Sequence, residues 1–298
     1  MAEPTLLFGV GATKAGTSWL YTYLHDHPEC AMPAVKEAHY WDTFDPIERA
    51  KQLDAFESQR ARFERVRAEA DAEGLGWKVR NMTRQIEELD ALIAIVGGDR
   101  AADKGYAEWL AARGDGPRLV GDITPSYALL PEGQLGRMAA LSPRTKFIYL
   151  LRDPIARLWS HIRMQARRKL PEGKDFATKA NNTLWRVIHK GAEPHLTERG
   201  DYAGAITRLR RAVPEGRLLI AFMEQMVTPE GLARVCKFLG LTYRAAKAGA
   251  VHTGEAASIR ADLRPKVAAL LQDQYDWVAA QVGPLPEEWR DNLQRAYA

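Results

Sequence analysis

The sequence predicts an α/β fold with three layers, a parallel sheet flanked by helices on both faces. Short apolar runs rich in β-branched and aromatic residues occur at Thr5–Val10, Leu119–Asp122, Thr145–Leu151 and Leu218–Phe222, each of strand length. Two of these runs end in a tight loop that leads directly into residues with helical spacing. Strands that alternate with helices imply parallel crossover connections. The composition, 46% hydrophobic and 27% charged over 298 residues, supports a sizeable core. Residues 1–298 are expected to form a single domain.

The first strand runs into the glycine turn Gly11 to Gly16. A helix follows from Thr17 through Leu20 and Leu24, and His27-Pro28 ends it because proline cannot continue the hydrogen-bond ladder. Between Phe44 and Ala112 the composition becomes charged and alanine-rich. Phe56, Phe63 and Val66, then Ile86, Leu89, Leu92 and Ile93, recur at intervals of three and four. This predicts a helical insertion over about 44–112, two or three amphipathic helices broken at Gly74-Leu75-Gly76 and Gly97-Gly98. Leu119–Asp122 is a short strand. Thr145–Leu151 is the strongest strand, and after Arg152-Asp153-Pro154 it leads into a helix carrying Ile155, Leu158, Trp159 and Ile162. A further strand at Leu218–Phe222 precedes a helix over Pro229 to Leu239.

Several function classes are excluded. The 42 Lys and Arg against 38 Asp and Glu leave a net charge of +4, too thin a surplus for a nucleic-acid surface. The two cysteines, Cys30 and Cys236, stand far apart without zinc-ligand spacing, so neither a metal site nor a disulfide framework is expected. No run approaches the roughly 18 apolar residues of a membrane span, and the N-terminus lacks the basic region of a signal peptide. A soluble, cytoplasmic protein is the expectation.

Gly11-Ala12-Thr13-Lys14-Ala15-Gly16-Thr17-Ser18 has the glycine spacing of a phosphate-binding loop, but Thr17 stands where a nucleoside-triphosphate loop requires lysine. The lysine lies inside the loop, at Lys14. Backbone N–H groups in a tight turn before a helix N-terminus make an anion site. A triphosphate would also need a magnesium ion, and no downstream aspartate strand is placed to hold one. A donor with one bridging phosphate needs neither.

The segment from Phe8 to Leu20 resembles the 5′-phosphosulfate loop of sulfotransferases that use 3′-phosphoadenosine 5′-phosphosulfate (PAPS). The resemblance implies a P-loop-NTPase-like sulfotransferase fold, with Lys14, Ala15, Gly16, Thr17, Ser18 and Trp19 binding the donor. Tyr149 to His161 resembles the family's 3′-phosphate segment, R-D-P with a serine six residues after the proline, which implies Arg152 and Ser160 as ligands. An arginine fork and a serine hydroxyl two turns into the next helix can converge on one phosphate. Pro33 to Asp42 is similar to the K-E-x-H-[FY]-[FW] stretch of heparan-type and related bacterial sulfotransferases. That likeness implies Glu37 as the base, His39 as its rival, and Lys36, His39 and Tyr40 on the acceptor side. Gly121 to Tyr127 resembles the G-[ED]-x-[ST]-P-x-Y segment beside the acceptor, which implicates Thr124 and Tyr127. Ile123 stands where heparan-type enzymes carry lysine, which argues against an anionic glycan. Gly200-Asp201-Tyr202 looks like the later G-x-Y segment, making Tyr202 a candidate, and Ser258-Ile259-Arg260 sits where relatives place a loop over the nucleotide, making Arg260 another.

The resemblance therefore implies transfer of a sulfuryl group from PAPS to a hydroxyl or amine of a carbohydrate or other small-molecule acceptor. The product would be 3′,5′-adenosine bisphosphate (PAP). Charge neutralisation by Lys14 would replace a metal. The alternatives are a P-loop nucleotide kinase or NTPase and a nucleotide-binding scaffold without catalysis.

Overall fold

The computed structural model describes residues 3–100, 103–112, 116–247 and 256–298. Its strands are β1 (Thr5–Gly11), β2 (Cys30–Ala31), β3 (Leu119–Ile123), β4 (Thr145–Leu151) and β5 (Leu218–Phe222). They form one parallel sheet in the order β2-β3-β1-β4-β5. Every residue of β1 and β3 is buried. Successive side chains point to opposite faces, so both faces must be covered, as expected of a parallel sheet between helical layers. The four strands expected from the sequence are present to within one residue. The two-residue β2, too short to carry a periodic signal, pairs with the start of β3 at the sheet edge.

Helix α1 (Thr17–His25) follows β1. The insertion supplies α2 (Pro46–Ala72), α3 (Gly76–Gly97) and α4 (Lys104–Ala111), broken at the two glycine positions expected; its residues 101–102 lie outside those described. A short 3₁₀ turn (Pro125–Leu129) and α5 (Glu132–Ala140) join β3 to β4. Between β4 and β5 come α6 (Pro154–Arg168), α7 (Phe176–Lys190), α8 (His195–Glu198) and α9 (Tyr202–Ala212). The chain ends with α10 (Met223–Met226), α11 (Pro229–Leu239), α12 (Arg264–Gln281) and α13 (Glu287–Tyr297). Local chemistry sets the key starts. Asp45 accepts from the backbone N–H of Ile47 and Glu48 and Pro46 opens α2, while Asp153 accepts from Ala156 N–H at 2.7 Å and Pro154 opens α6.

The structure corrects one expectation about the insertion. Among the described residues α2 buries only Phe56 and Ala70, because it packs on α3 along one narrow seam and is polar elsewhere. The apolar face belongs to α3, through Met82, Ile86, Leu89, Leu92 and Val96.

The chain leaves β1 towards β2 and leaves β4 towards β5, in opposite directions across the sheet. A crevice therefore opens at the carboxyl ends of β1 and β4, where open α/β sheets bind ligands. No helix among the described residues is long and apolar enough to cross a membrane.

Candidate active site

The loop after β1 begins with a register shift between Gly9 and Gly11, and Ala12 N–H then donates to Leu150 O of β4 at 2.9 Å. Gly16, at φ 92°, caps α1 in the left-handed conformation, and a Cβ there would stand 2.9 Å from Met223 Cγ. The first intrahelical bond runs from Leu20 N–H to Gly16 O, so the N–H groups of Thr17, Ser18 and Trp19 precede the ladder, and no side chain caps them. Ala15 differs from expectation. It is buried and its N–H is spent on Ala12 O at 3.1 Å, so the anion-facing donors begin after it.

Arg152, at the end of β4, donates from Nη1 to Lys14 O at 3.1 Å across the crevice. Tyr202 Oη–H donates to Arg152 O at 2.6 Å and fixes the turn, and Glu224 Oε1 accepts from Asp153 N–H at 3.2 Å. Lys14 Nζ lies 3.9 Å from Met164 Sδ of α6. Ser160 is half-buried one turn before Met164 on the same helix face, which places it along the stripe that meets the loop. Burial, then Arg152, Arg168 and Arg163, push the Lys14 ammonium below the usual lysine range, with Glu37 opposing. Cations gathered this densely favour an anion between them.

Arg157 deepens that field. It is fully buried, donates from Nη2 to Leu196 O at 2.8 Å, and leaves Nη1 without a hydrogen-bond partner. Its guanidinium packs under Gly200, where a Cβ would come within 2.4 Å of it. Arg260 is not part of this group: exposed, its fork engages Asp262 at 2.9 and 3.0 Å. The neighbouring Ala257 does approach the site, accepting from Trp159 Nε1–H at 2.8 Å.

The segment carrying Glu37 is held from several sides. Glu88 of α3 accepts from Ala34 N–H at 2.6 Å, Asp122 from Ala38 N–H at 3.4 Å, and Tyr127 Oη from Tyr40 N–H at 2.9 Å. Arg100 Nη1 donates to Thr43 O at 2.7 Å. These anchors hold Glu37 (φ 68°) and His39 (φ 48°) in the left-handed region, as Lys14 is held at φ 70°. Such conformations cost roughly 1–3 kcal/mol each and persist at sites where geometry matters.

His39 lies between two carboxylates, with Nδ1 2.8 Å from Asp42 Oδ2 and Nε2 3.6 Å from Glu37 Oε2. Burial opposes its charge, but Asp42 and Glu37 raise its pKa to about 9. Burial likewise opposes ionisation of Glu37, and His39 and the ion-paired Lys36 overcome it, lowering its pKa to about 2. At neutral pH the group is carboxylate, imidazolium, carboxylate. Ser126 Oγ also donates to Asp42 Oδ2.

Stability should register this arrangement. A histidine raised from its unfolded value of 6.5 to about 9 contributes stability that is full below pH 6.5 and lost as pH rises through about 9. The difference in thermal midpoint between wild type and His39→Gln should therefore shrink from pH 6 to pH 9.5. Differential scanning calorimetry across that range reads it, and a constant difference would contradict the charged assignment.

The acceptor-side tyrosines behave otherwise than expected. Tyr40, Thr124, Tyr127 and Tyr202 are wholly buried. Tyr40 Oη–H donates to Asp103 at 2.7 Å, while Thr124 and Tyr127 donate to Asp122 at 2.7 Å each. Their hydroxyls are spent inside the protein, so they support the site from behind. Residues not singled out from sequence lie beside it. Asp42, Ser126 and Arg199 border a cavity of about 370 Å³ that begins at His39, and Arg199 Nη1 approaches Thr13 Oγ1 at 3.5 Å. Only the H-x-x-D spacing of His39 and Asp42 offered a sequence signal. Among the described residues no group of three or more His, Cys, Asp or Glu is arranged to hold a metal ion.

A crystal structure of a sulfotransferase from Alicyclobacillus acidocaldarius shares the fold at a TM-score of 0.60 and 21% identity, over 97% of this chain and 100% of that one. The sulfotransferase domain of the curacin biosynthetic pathway aligns at a TM-score of 0.45 and 18% identity, over 99% and 97% of the two chains. That of the Synechococcus PCC 7002 olefin synthase aligns at 0.40 and 17%, over 81% and 74%. No curated protein matches the sequence. The model of the sulfotransferase family matches residues 4–245, which span the anion loop, the Glu37 segment and the Arg152 turn, and the chain belongs to that family.

Proposed function

We propose that the protein transfers the sulfuryl group of PAPS to a hydroxyl or amine of a carbohydrate or other small-molecule acceptor. The observation that carries this reading is the contact between Arg152 and Lys14 across the crevice. The bond ties the Arg152 guanidinium to the backbone of Lys14, and the Arg152 charge is felt at the Lys14 ammonium; a donor with phosphates at both ends of its ribose would take two such cations. Lys14 and the N–H groups of Thr17, Ser18 and Trp19 would hold the 5′-phosphosulfate, and Arg152 with Ser160 the 3′-phosphate. When bound, the donor supplies a sulfuryl group whose bond to the bridging oxygen breaks as the acceptor oxygen or nitrogen bonds to sulfur and the acceptor proton leaves.

Glu37 takes that proton. His39, already an imidazolium, cannot; its charge lies 3.6 Å from Glu37 and favours the carboxylate form. With a pKa of about 2, Glu37 is a weak base while Lys36 and His39 both engage it. An acceptor that displaces Lys36 removes one of the charges holding the value down and makes the carboxylate more basic. Lys14 balances charge on the bridging oxygen as the phosphate leaves.

Isothermal titration with PAP in the presence of a chelator tests the donor site. Binding is expected to be unchanged by the chelator, and labelled PAPS is expected to give labelled acceptor. Binding of magnesium-ATP with no affinity for PAP would instead support the kinase alternative.

A further inference from the structure

Arg199, the C-cap of α8, stands beside both the donor loop and the segment that carries the base. It is half-buried, and among the described residues no carboxylate pairs with it. Its Nη1 reaches Thr13 Oγ1 at 3.5 Å, next to Lys14 in the loop. It also borders the cavity that His39 lines, and His39 Nε2 lies 3.6 Å from Glu37 Oε2. We propose that Arg199 binds the sulfuryl group of the donor and so distinguishes PAPS from PAP. This rests on the sulfuryl-transfer reading and adds to it the residue that meets the transferred group.

The backbone on either side of Arg199 is fixed from beneath by Arg157. That buried guanidinium donates from Nη2 to Leu196 O at 2.8 Å and fills the space under Gly200, where a Cβ would come within 2.4 Å of it. Tyr202, on the same stretch, donates to Arg152 O at 2.6 Å and ties it to the turn proposed for the 3′-phosphate. Positive charge converges at this place. Burial, then Arg157, Arg199, His195 and Lys14, push the buried His161 imidazole down to about 3. A half-buried arginine among other cations, with no acid partner, gains from an anionic ligand what the protein itself does not supply.

Chain order in the loop says which part of the donor that ligand is. The free N–H groups of Thr17, Ser18 and Trp19 suit the 5′-phosphate, and Lys14, earlier in the loop, suits the bridging oxygen. The sulfuryl group would lie beyond that oxygen, where Thr13 precedes Lys14 and where Glu37 has to reach the acceptor. An arginine fork offers two parallel N–H groups, which match two of the three sulfuryl oxygens. In the transfer the bond from sulfur to the bridging oxygen breaks and leaves its electron pair on the phosphate. The acceptor oxygen or nitrogen bonds to sulfur, and its proton passes to Glu37. Arg199 moves no proton; it holds the group in line and balances charge on its oxygens.

Titration calorimetry without acceptor compares PAPS with PAP, which differ by the sulfuryl group alone. Arg199→Gln should weaken PAPS about tenfold or more, the scale of one charge-assisted contact, and leave PAP within about twofold. Arg199→Lys should recover part of that loss. Thr13→Ala removes the hydroxyl that Arg199 approaches but no charge, and should leave the ratio of the two affinities as in the wild type. Should Arg199→Gln not fold, Arg199→Lys carries the test, because it keeps the charge, loses the fork and should show a smaller loss confined to PAPS. Equal weakening of both ligands would make Arg199 a brace for the loop, and unaltered affinity for both would leave the sulfuryl group to other residues; either result overturns the proposal. A wild type that binds neither ligand sinks the sulfuryl-transfer reading itself. Binding of both, with an unaltered ratio in the Arg199 variants, sinks this assignment alone.

Discussion

Lys14→Ala is expected to lower the rate of sulfuryl transfer by about 10²–10³-fold or more while leaving the fold intact. The size follows from where the ammonium sits. It occupies the crevice mouth, on a loop held by the Ala12 to Leu150 bond and by Gly16, so it is fixed before any ligand arrives. A preorganised cation aimed at a leaving oxygen needs no reorganisation as charge develops there, which is the source of the effect. Alanine at position 14 meets the same left-handed backbone cost as lysine, so the substitution tests charge and not conformation. Arg152 loses nothing directly, because it bonds the backbone carbonyl of residue 14. Single-turnover measurements with labelled PAPS should show the loss in the chemical step, and Lys14→Arg should recover part of it. A single-turnover rate within about threefold of wild type for Lys14→Ala would remove Lys14 from the leaving-group role, since even one lost donor normally costs more than that.

The parts of this site that could be read from sequence are those where one chain segment carries its own signal. The strand, glycine turn and helix around Lys14 and the strand-to-helix turn at Arg152 each have local periodicity and a breaker, and parallel crossover geometry brings both turns to one edge of the sheet. What could not be read depends on contacts between distant segments. An aromatic run such as Tyr40-Trp41 does not say which rings face a ligand. The answer comes from Asp122, whose carboxylate draws the hydroxyls of Tyr106, Thr124 and Tyr127 inward. The left-handed backbone at Glu37 and His39 is imposed by Glu88, Asp122 and Arg100, which lie between 49 and 85 residues further along the chain. Arg199 has no local mark at all, and becomes visible once α8 delivers it beside Thr13. The C-terminal helices carried no motif, yet Tyr275 and Asn292 both donate to Asp153, at 2.7 Å each, and so help to set the turn that presents Arg152.

That turn is the basis for the second large effect, Arg152→Ala, which should weaken PAP binding by roughly 30- to 150-fold, the equivalent of about 2–3 kcal/mol for a charge-assisted bond to phosphate. The arginine has two connections, a guanidinium available to a phosphate and an Nη1 bond to Lys14 O, so a loss of affinity alone would not say which matters. Adenosine 5′-monophosphate separates them, because it keeps the 5′ end and lacks the 3′-phosphate. If Arg152 binds the 3′-phosphate, the substitution should lower PAP affinity to about that of the monophosphate and leave monophosphate affinity within about twofold, as a double-mutant cycle with a shared partner requires. If its main task is to brace the loop through Lys14 O, both ligands should weaken equally. Tyr202→Phe provides the control on positioning. It removes the hydrogen bond to Arg152 O but keeps the ring beneath the turn, so it should reproduce only a fraction of the PAP-specific loss, about the 0.5–1.5 kcal/mol of one neutral hydrogen bond. A PAP affinity unaltered in Arg152→Ala would place the 3′-phosphate elsewhere. The buried Arg157, directly below and without a carboxylate partner among the described residues, would then be the cation left to account for it.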